Sequence, residues 1–513
     1  MHYVTGLLVH DFVLSGHWSA PMAFARRFYL HFPKVGLGNW PPGFALLQTA
    51  WTLPFGVSRV SLLLLMFLLT ALLAFAVYRA AVVDLGALYA WLAALLVIAA
   101  PLTQEQASMV MAEIPLALAS FLAVVYLARF LATGRTADAV VFALWTSAAI
   151  LIKGNGWVIV FVVPVALAVT RGLRWLRDWR VWLAASIVGV LCLPYTLFTM
   201  RIVRQGWDTR AFPGFEYLVR SFGLHASFAV EILGIPLTLI ALAGCIDRVF
   251  LLRREARRPF WLVMALYGAA IVLFHTLVPT SIEPRKIYQI VPVVGLFAAA
   301  GCSAIARRIP SRFLAPAAAR SGVAVLAALI FFFGTFSLLP VFDPGFGPVV
   351  ENLLTRPDAR AAAILISSNP FTADAEAALI AEWAERDRTG GAYLVRATKL
   401  LARPVSLGPN RIDYALIYPA PDEMLRAMNA IPIAYVILHT QTAARSYTHH
   451  ALLQSTLAAH PEEWELIYRT SRRVLGASHV IEVYRCRKNL AGVPIRLSVD
   501  LTGKIGESLS TEP

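Results

Sequence analysis

The amino-acid sequence predicts a polytopic α-helical membrane protein with a C-terminal α/β soluble domain. Three observations predict it. The chain has 513 residues, 58% of them hydrophobic and only 15% charged, with mean hydropathy +0.67; soluble domains carry roughly 25% charged residues. Long apolar runs recur up to residue 340, and beyond it short β-rich runs alternate with helical stretches. That pattern excludes a cytosolic enzyme, a disordered chain and a fibrous repeat. The net charge of +15 does not point to nucleic acid, because the basic residues sit in short clusters between apolar runs, as membrane orientation requires. Of the four cysteines, Cys192, Cys245 and Cys302 lie inside apolar runs and Cys486 stands alone. The spacing matches neither a zinc site nor a disulfide framework, so no metal ligands are assigned.

A helical span needs about 17–25 apolar residues. Runs at 60–78, 85–101, 107–131, 181–199, 226–252, 259–279, 287–305 and 321–340 meet that length. Two shorter runs, 139–152 and 155–170, flank "KGNG" and read as a hairpin whose polar tip is covered by protein or water. About ten membrane helices are therefore expected. Arg79, Arg135, the cluster Arg171, Arg174, Arg177 and Arg180, the cluster Arg253, Arg254, Arg257 and Arg258, and the cluster Arg307, Arg308, Arg312 and Arg320 alternate so that all can share the cytoplasmic side. Residues 1–58, the loops near 101–107, 200–225 and 279–287, and everything after 340 then lie outside.

The first 58 residues are polar for a segment placed outside with nothing ahead of it to carry it across, so a membrane helix preceding Met1 is expected. Here "WPPGFALLQTAW" reads as a Pro-Pro helix start with Trp40 and Trp51 at the interface, and residues 6–32 as a second interfacial segment. His2, His10, His17 and His31 lack ligand spacing and read as surface or interfacial residues. Residues 1–340 form the membrane domain. In residues 341–490, "AAAILISSNP", "GAYLVRA", "IAYVILHT" and "HVIEVYRC" read as strands and "FTADAEAALIAEWAERD" as a helix capped by Thr372 or Asp374. Residues 491–513 show no periodicity and are expected to be a disordered tail.

Several of these features occur in a familiar order: "WPP" opening an interfacial helix, "LPFGVSRVSLLLL" entering a span, "MVMAEIPLALAS", "LIKGNGW", and "EPRKIYQIVP" in a late outer loop. Residues 1–340 resemble the GT-C superfamily of integral-membrane glycosyltransferases. The resemblance is to the bacterial relatives of protein O-mannosyltransferases and of the lipid A aminoarabinose transferase. It implies transfer of a sugar from a polyprenyl-phosphate-linked donor to a lipid, glycan or protein acceptor. It also implies a bacterial cytoplasmic (inner) membrane location, with the C-terminal domain on the outer, periplasmic face. No cofactor is named, and a need for a divalent cation is left open. In the resembled enzymes a catalytic acid follows the first helix; that position falls before Met1, so the resemblance implies that the acid lies upstream, that Asp11 substitutes for it, or that the chain as written is inactive.

Twelve acidic residues occur in residues 1–340, and five (Asp84, Asp138, Asp178, Asp247 and Glu255) fall on the expected cytoplasmic side. Glycosyl transfer to a hydroxyl needs a base near the acceptor oxygen and cationic groups where the lipid phosphate leaves. Glu113 is the best-placed acid: a helix over 104–131 would be ~40 Å long, leaving Glu113 in its outer turns, where an ionisable residue marks function. Glu113 and Asp11 are thus the candidate catalytic acids. Lys153, Arg285, Lys286, Tyr288, Arg201 and Arg204 are candidates for the donor phosphate. The alternative to a transferase is a non-catalytic membrane protein that binds or flips a lipid-linked sugar. An ion-coupled transporter ranks last, because midplane charges are scarce.

Overall fold

A computed structural model describes the chain except residues 17, 37, 39, 203–213, 252–257, 279–281, 339–342, 370–374, 409–410, 443–446, 475, 491, 502–506 and 512–513. The chain begins with three helices, α1 (His2–Ser15), α2 (Pro21–His31) and α3 (Gly43–Phe55). The membrane bundle follows: α4 (Arg59–Ala99), α5 (Pro101–Ala107), α6 (Glu113–Thr133), α7 (Thr136–Ile152), α8 (Val158–Arg171) and α9 (Trp179–Ile202), then α10 (Phe215–Glu231), α11 (Gly234–Ile246), α12 (Arg258–Leu277), α13 (Val291–Arg308) and α14 (Pro316–Gly334). Among the described residues seven helical segments are long and apolar enough to span a membrane, with α7 and α8 shorter.

The 41-residue α4 holds the first two expected spans. It is broken at Gly86, whose φ of 76° only glycine adopts without strain. The Tyr78 and Trp91 rings lie 4.9 Å apart, whereas 13 residues of straight helix would separate them by ~20 Å. The chain therefore doubles back at Gly86. The expected span at 226–252 is divided: Gly234, at φ 75°, ends the turn after α10 and starts α11. Likewise the helix expected over 104–131 is two helices, α5 and α6, separated at residues 108–112. Small residues let α11 meet α13: a Cβ on Gly301 would come 2.0 Å from the Ile240 carbonyl oxygen.

Four of the acids expected on the cytoplasmic side have polar partners. Asp84 accepts from Trp261 Nε1 at 2.9 Å, Asp138 pairs with Arg129 at 3.2 Å, Asp178 with Arg180 at 2.7 Å, and Asp247 with Arg307 at 2.6 Å and Arg308 at 3.0 Å. Glu255 lies outside the described residues.

The C-terminal part contains α15 (Phe346–Leu354), β1 (Ala363–Ser368), α16 (Ala375–Arg386), β2 (Tyr393–Arg396), α17 (Ala397–Leu400), β3 (Ala402–Gly408), β4 (Arg411–Leu416) and α18 (Pro421–Ala430). It continues through β5 (Ile433–Gln441), α19 (Thr448–Ala459), β6 (Trp464–Val474) and β7 (Ala477–Cys486). The main sheet runs β2-β1-β5-β7-β6, with β1 parallel to β2 and β5 and the remaining pairs antiparallel. Alternate residues of β1 face two cores: Ile364 and Ile366 one, Ala363 and Leu365 the other. This is why β1 is an unbroken apolar run rather than an alternating one. All four expected strand runs and the expected helix form; the proposed caps Thr372 and Asp374 lie outside the described residues.

Two readings of the sequence are corrected. The tail expected to be disordered carries a hairpin, β8 (Ser498–Leu501) and β9 (Glu507–Ser510); Leu501 and Leu509 are apolar residues buried in a core, a pairing too short for a periodic signal. Residues 6–32 are not a surface segment. Val4, Leu7, Phe28, Tyr29 and Phe32 share one core with Val349, Trp383, Ile364 and Tyr435. A boundary at residue 340 thus separates two compositions but not two packing units.

Four histidines lie near the β1 and β5 ends of the sheet. His450 bonds through Nδ1 to Ser367 Oγ at 2.8 Å and through Nε2 to Thr440 Oγ1 at 3.0 Å. His439 bonds through Nδ1 to Ser368 Oγ at 3.0 Å and through Nε2 to His479 Nδ1 at 3.0 Å. The fourth, His449, is also buried. Burial pushes His439 and His450 each down to about 3, so both are neutral in the fold at pH 5 while the unfolded chain, at about 6.5, protonates. Stability is therefore full above pH 6.5 and falls as pH drops towards 3. At pH 5 the loss is on the order of 2 kcal/mol per histidine. Hydrogen exchange on the full chain is expected to show β1 and β5 amides markedly less protected at pH 5 than at pH 7.5, after correction for intrinsic rates. Equal protection would show that the histidines are accommodated as cations.

Candidate active site

Glu113 is the first residue of α6, where the helix N-terminus favours a carboxylate. Lys153 ends α7, its backbone extended at φ −159° and ψ 141°, and leads into the "GNGW" turn. That turn needs glycine: a Cβ on Gly156 would lie 2.5 Å from the Ala149 carbonyl carbon and the Ile150 nitrogen. Gly43 makes a second close approach, since its Cβ would fall 2.6 Å from the Leu151 carbonyl oxygen. These contacts hold α3 against the end of α7 and bring Lys153 Nζ within 2.5 Å of Glu113 Oε1. Glu113 is 1% exposed and Lys153 3%, so the pair is shielded from water. The second carboxylate oxygen, Oε2, has no hydrogen-bond partner among the described residues.

The surroundings come from distant parts of the chain. Lys153 lies 5.6 Å from the Trp40 ring, and the His2 ring lies 5.0 Å from Trp40 and 5.6 Å from Phe44. The Tyr195 hydroxyl anchors the "WPP" segment at the carbonyls of Trp40 (2.5 Å) and Gly38 (3.1 Å). Burial lowers His2 to about 3, against the opposing pull of Glu113, and leaves it neutral. Arg285 pairs with Glu283 at 2.5 Å, and its charge also acts on Glu113 and His2. Lys286 is electrostatically coupled to Lys153, Arg285 and Glu113. The result is a group of three cations and two carboxylates, Glu113 buried and Glu283 paired with Arg285, at one end of the bundle, with Lys286 left to neutralise an anion beside a proton acceptor.

Of the residues singled out from the sequence, the structure groups Glu113, Lys153, Arg285 and Lys286. Tyr288 is buried and donates to Thr103 Oγ1 at 3.2 Å, which ties the late loop to α5. Asp11 is elsewhere: its Oδ1 lies 2.8 Å from Arg388 Nη1, just past α16, and α1 is also tied to α16 by the Tyr3 hydroxyl donating to Glu385 Oε2 at 2.6 Å. It joins the N-terminal helices to the C-terminal domain because nine residues of helix separate it from His2 by ~14 Å. Arg201 is exposed at the end of α9, with no hydrogen bond or ion pair to Glu113 or Lys153 among the described residues, and Arg204 lies outside them. From the sequence His2 and Trp40 are expected to be interfacial; the long-range packing of α1 on α3 puts them in the site. Among the described residues no group of three His, Cys, Asp or Glu side chains can hold a metal ion.

Residues 39–198, which include Trp40, Glu113, Lys153 and Tyr195, match the family model of dolichyl-phosphate-mannose-protein mannosyltransferases. No curated protein sequence matches the chain significantly. Among solved structures, ArnT from Cupriavidus metallidurans in the apo state is similar at a TM-score of 0.55 and 15% identity, covering 94% of this chain and 93% of that one. The same protein bound to undecaprenyl phosphate gives 0.54 and 14%, covering 87% and 88%. The archaeal oligosaccharyltransferase AglB from Archaeoglobus fulgidus, in complex with an inhibitory peptide and a dolichol-phosphate, gives 0.53 and 12%, covering 85% of this chain and 64% of that one. Residues 39–198 are thus similar to the mannosyltransferase family, and the chain as a whole has the fold of the integral-membrane glycosyltransferases ArnT and AglB.

Proposed function

We propose that this protein transfers a sugar from a polyprenyl-phosphate donor to an acceptor hydroxyl at the outer face of a bacterial cytoplasmic membrane. The observation that carries this reading is the buried Glu113–Lys153 pair, with one carboxylate oxygen unpartnered, beside Arg285 and Lys286. Two comparisons support it: the match to dolichyl-phosphate-mannose-protein mannosyltransferases and the similarity to ArnT bound to undecaprenyl phosphate. The acceptor oxygen attacks the anomeric carbon, and the bond from that carbon to the phosphate oxygen breaks with its electron pair on the phosphate. The acceptor proton passes to Glu113 Oε2, while Lys153 holds Oε1. Lys286, with Arg285 beside it, neutralises the charge that builds on the leaving phosphate. Attack opposite the leaving group inverts the anomeric centre. The basic loops at the other end of the bundle support the orientation, which puts the C-terminal domain on the outer face, where it covers the site or binds the acceptor.

The test uses the full chain in lipid nanodiscs with undecaprenyl phosphate carrying labelled hexoses or pentoses, and an extract of envelope lipids, glycans and proteins as acceptors. Sugar-dependent release of undecaprenyl phosphate with label appearing on an acceptor supports the reading. Tight binding of the carrier with no transfer to any acceptor would favour the lipid-linked-sugar binding or flipping role instead.

A further inference from the structure

Next to the cation group lies a second polar cluster that the chemistry above does not use. The helix α10 packs on α12 and on the turn carrying Lys286. It brings His225 to His275, with ring centroids 5.7 Å apart and planes inclined at 36°. Both residues are 1% exposed. His225 Nδ1 lies 2.8 Å from the Ser221 carbonyl oxygen, which only accepts, so Nδ1 carries the proton and Nε2 presents a lone pair. That Nε2 and both ring nitrogens of His275 have no partner among the described residues. The cations Lys286 and Lys153 act on His275.

Three unpaired ring nitrogens in an apolar bundle are costly, and phenylalanine or leucine would fill the same space without that cost. They become favourable once a ligand pairs with them. Ring nitrogens that offer both lone pairs and N–H groups suit hydroxyls, which donate and accept, better than a further anion, for which three cations already stand nearby. Resting on the reading of a polyprenyl-phosphate donor, we infer that His225 and His275 form the subsite that binds hydroxyl groups of the donor's sugar, beside the cations that hold its phosphate. They are specificity residues: they select among sugars, and the lipid phosphate is held without them.

The test compares the thermal shift of the full chain in nanodiscs with bare undecaprenyl phosphate against the same carrier bearing a panel of hexoses and pentoses. Wild type is expected to gain more from at least one glycosylated carrier than from the bare one. His225→Phe and His275→Phe are expected to lose that increment while keeping the shift from the bare carrier, and to raise donor KM about tenfold each. His275→Asn, which keeps a donor and an acceptor, is expected to recover part of both. If the Phe variants keep the sugar increment, or if no sugar in the panel adds to the bare carrier's shift, the subsite is overturned while the lipid-phosphate reading stands. If the bare carrier itself gives no shift, the lipid-phosphate reading falls and takes the subsite with it.

Discussion

Glu113→Gln is expected to lower the rate of sugar transfer by about 10²–10⁴-fold, the contribution typical of a positioned general base. The amide keeps the shape of the carboxylate and its oxygen still accepts from Lys153, so expression, insertion and donor binding should change little. What it lacks is an oxygen that can take a proton from the acceptor hydroxyl. The discriminating readout is the split between kcat, which should fall, and donor KM, which should stay within a few-fold of wild type. Retention of more than about a tenth of wild-type kcat would remove Glu113 from the proton transfer and leave the ion pair a structural one.

Lys153→Met produces the second large effect, and it acts on stability. Glu113 and Lys153 are shielded from water and their contact is 2.5 Å. Removing one partner of such a pair strands the other charge at a cost of roughly 3–5 kcal/mol. The single variant should unfold at a clearly lower temperature in detergent. Lys153→Met combined with Glu113→Gln should recover most of the loss, because no charge is then stranded, yet remain inactive. That non-additivity is the signature of direct coupling. If the double variant is as unstable as the Lys153→Met single, the lysine acts through other contacts, such as the Trp40 ring 5.6 Å away.

The residues that the sequence made legible were those whose cost is local. A lysine between two short apolar runs and an acid opening a span are expensive wherever they are folded, so Glu113 and Lys153 stood out, as did Arg285 and Lys286 in the late loop. Asp11 was offered as a stand-in for the acid the resemblance implies, but its partner is Arg388, 377 residues away, and no spacing rule reaches that far. His2, His225 and His275 carry no local signal at all: a histidine in an amphipathic helix reads the same whether it faces lipid, water or a site.

By itself the sequence determined the membrane class, the β-rich runs of the C-terminal domain and the likeness to the GT-C fold. Each of these follows from the free energy of placing a short segment in water or hydrocarbon, which depends on that segment's own residues. Only the tertiary structure decided that α4 folds back at Gly86, that α1 and α2 complete the core of the C-terminal domain, and that Glu113 meets Lys153 under Trp40 and His2. Those outcomes are set by close contacts between segments far apart in the chain. A glycine that admits a neighbouring carbonyl, or an ion pair kept from water, gains or loses its energy only once both partners are in place.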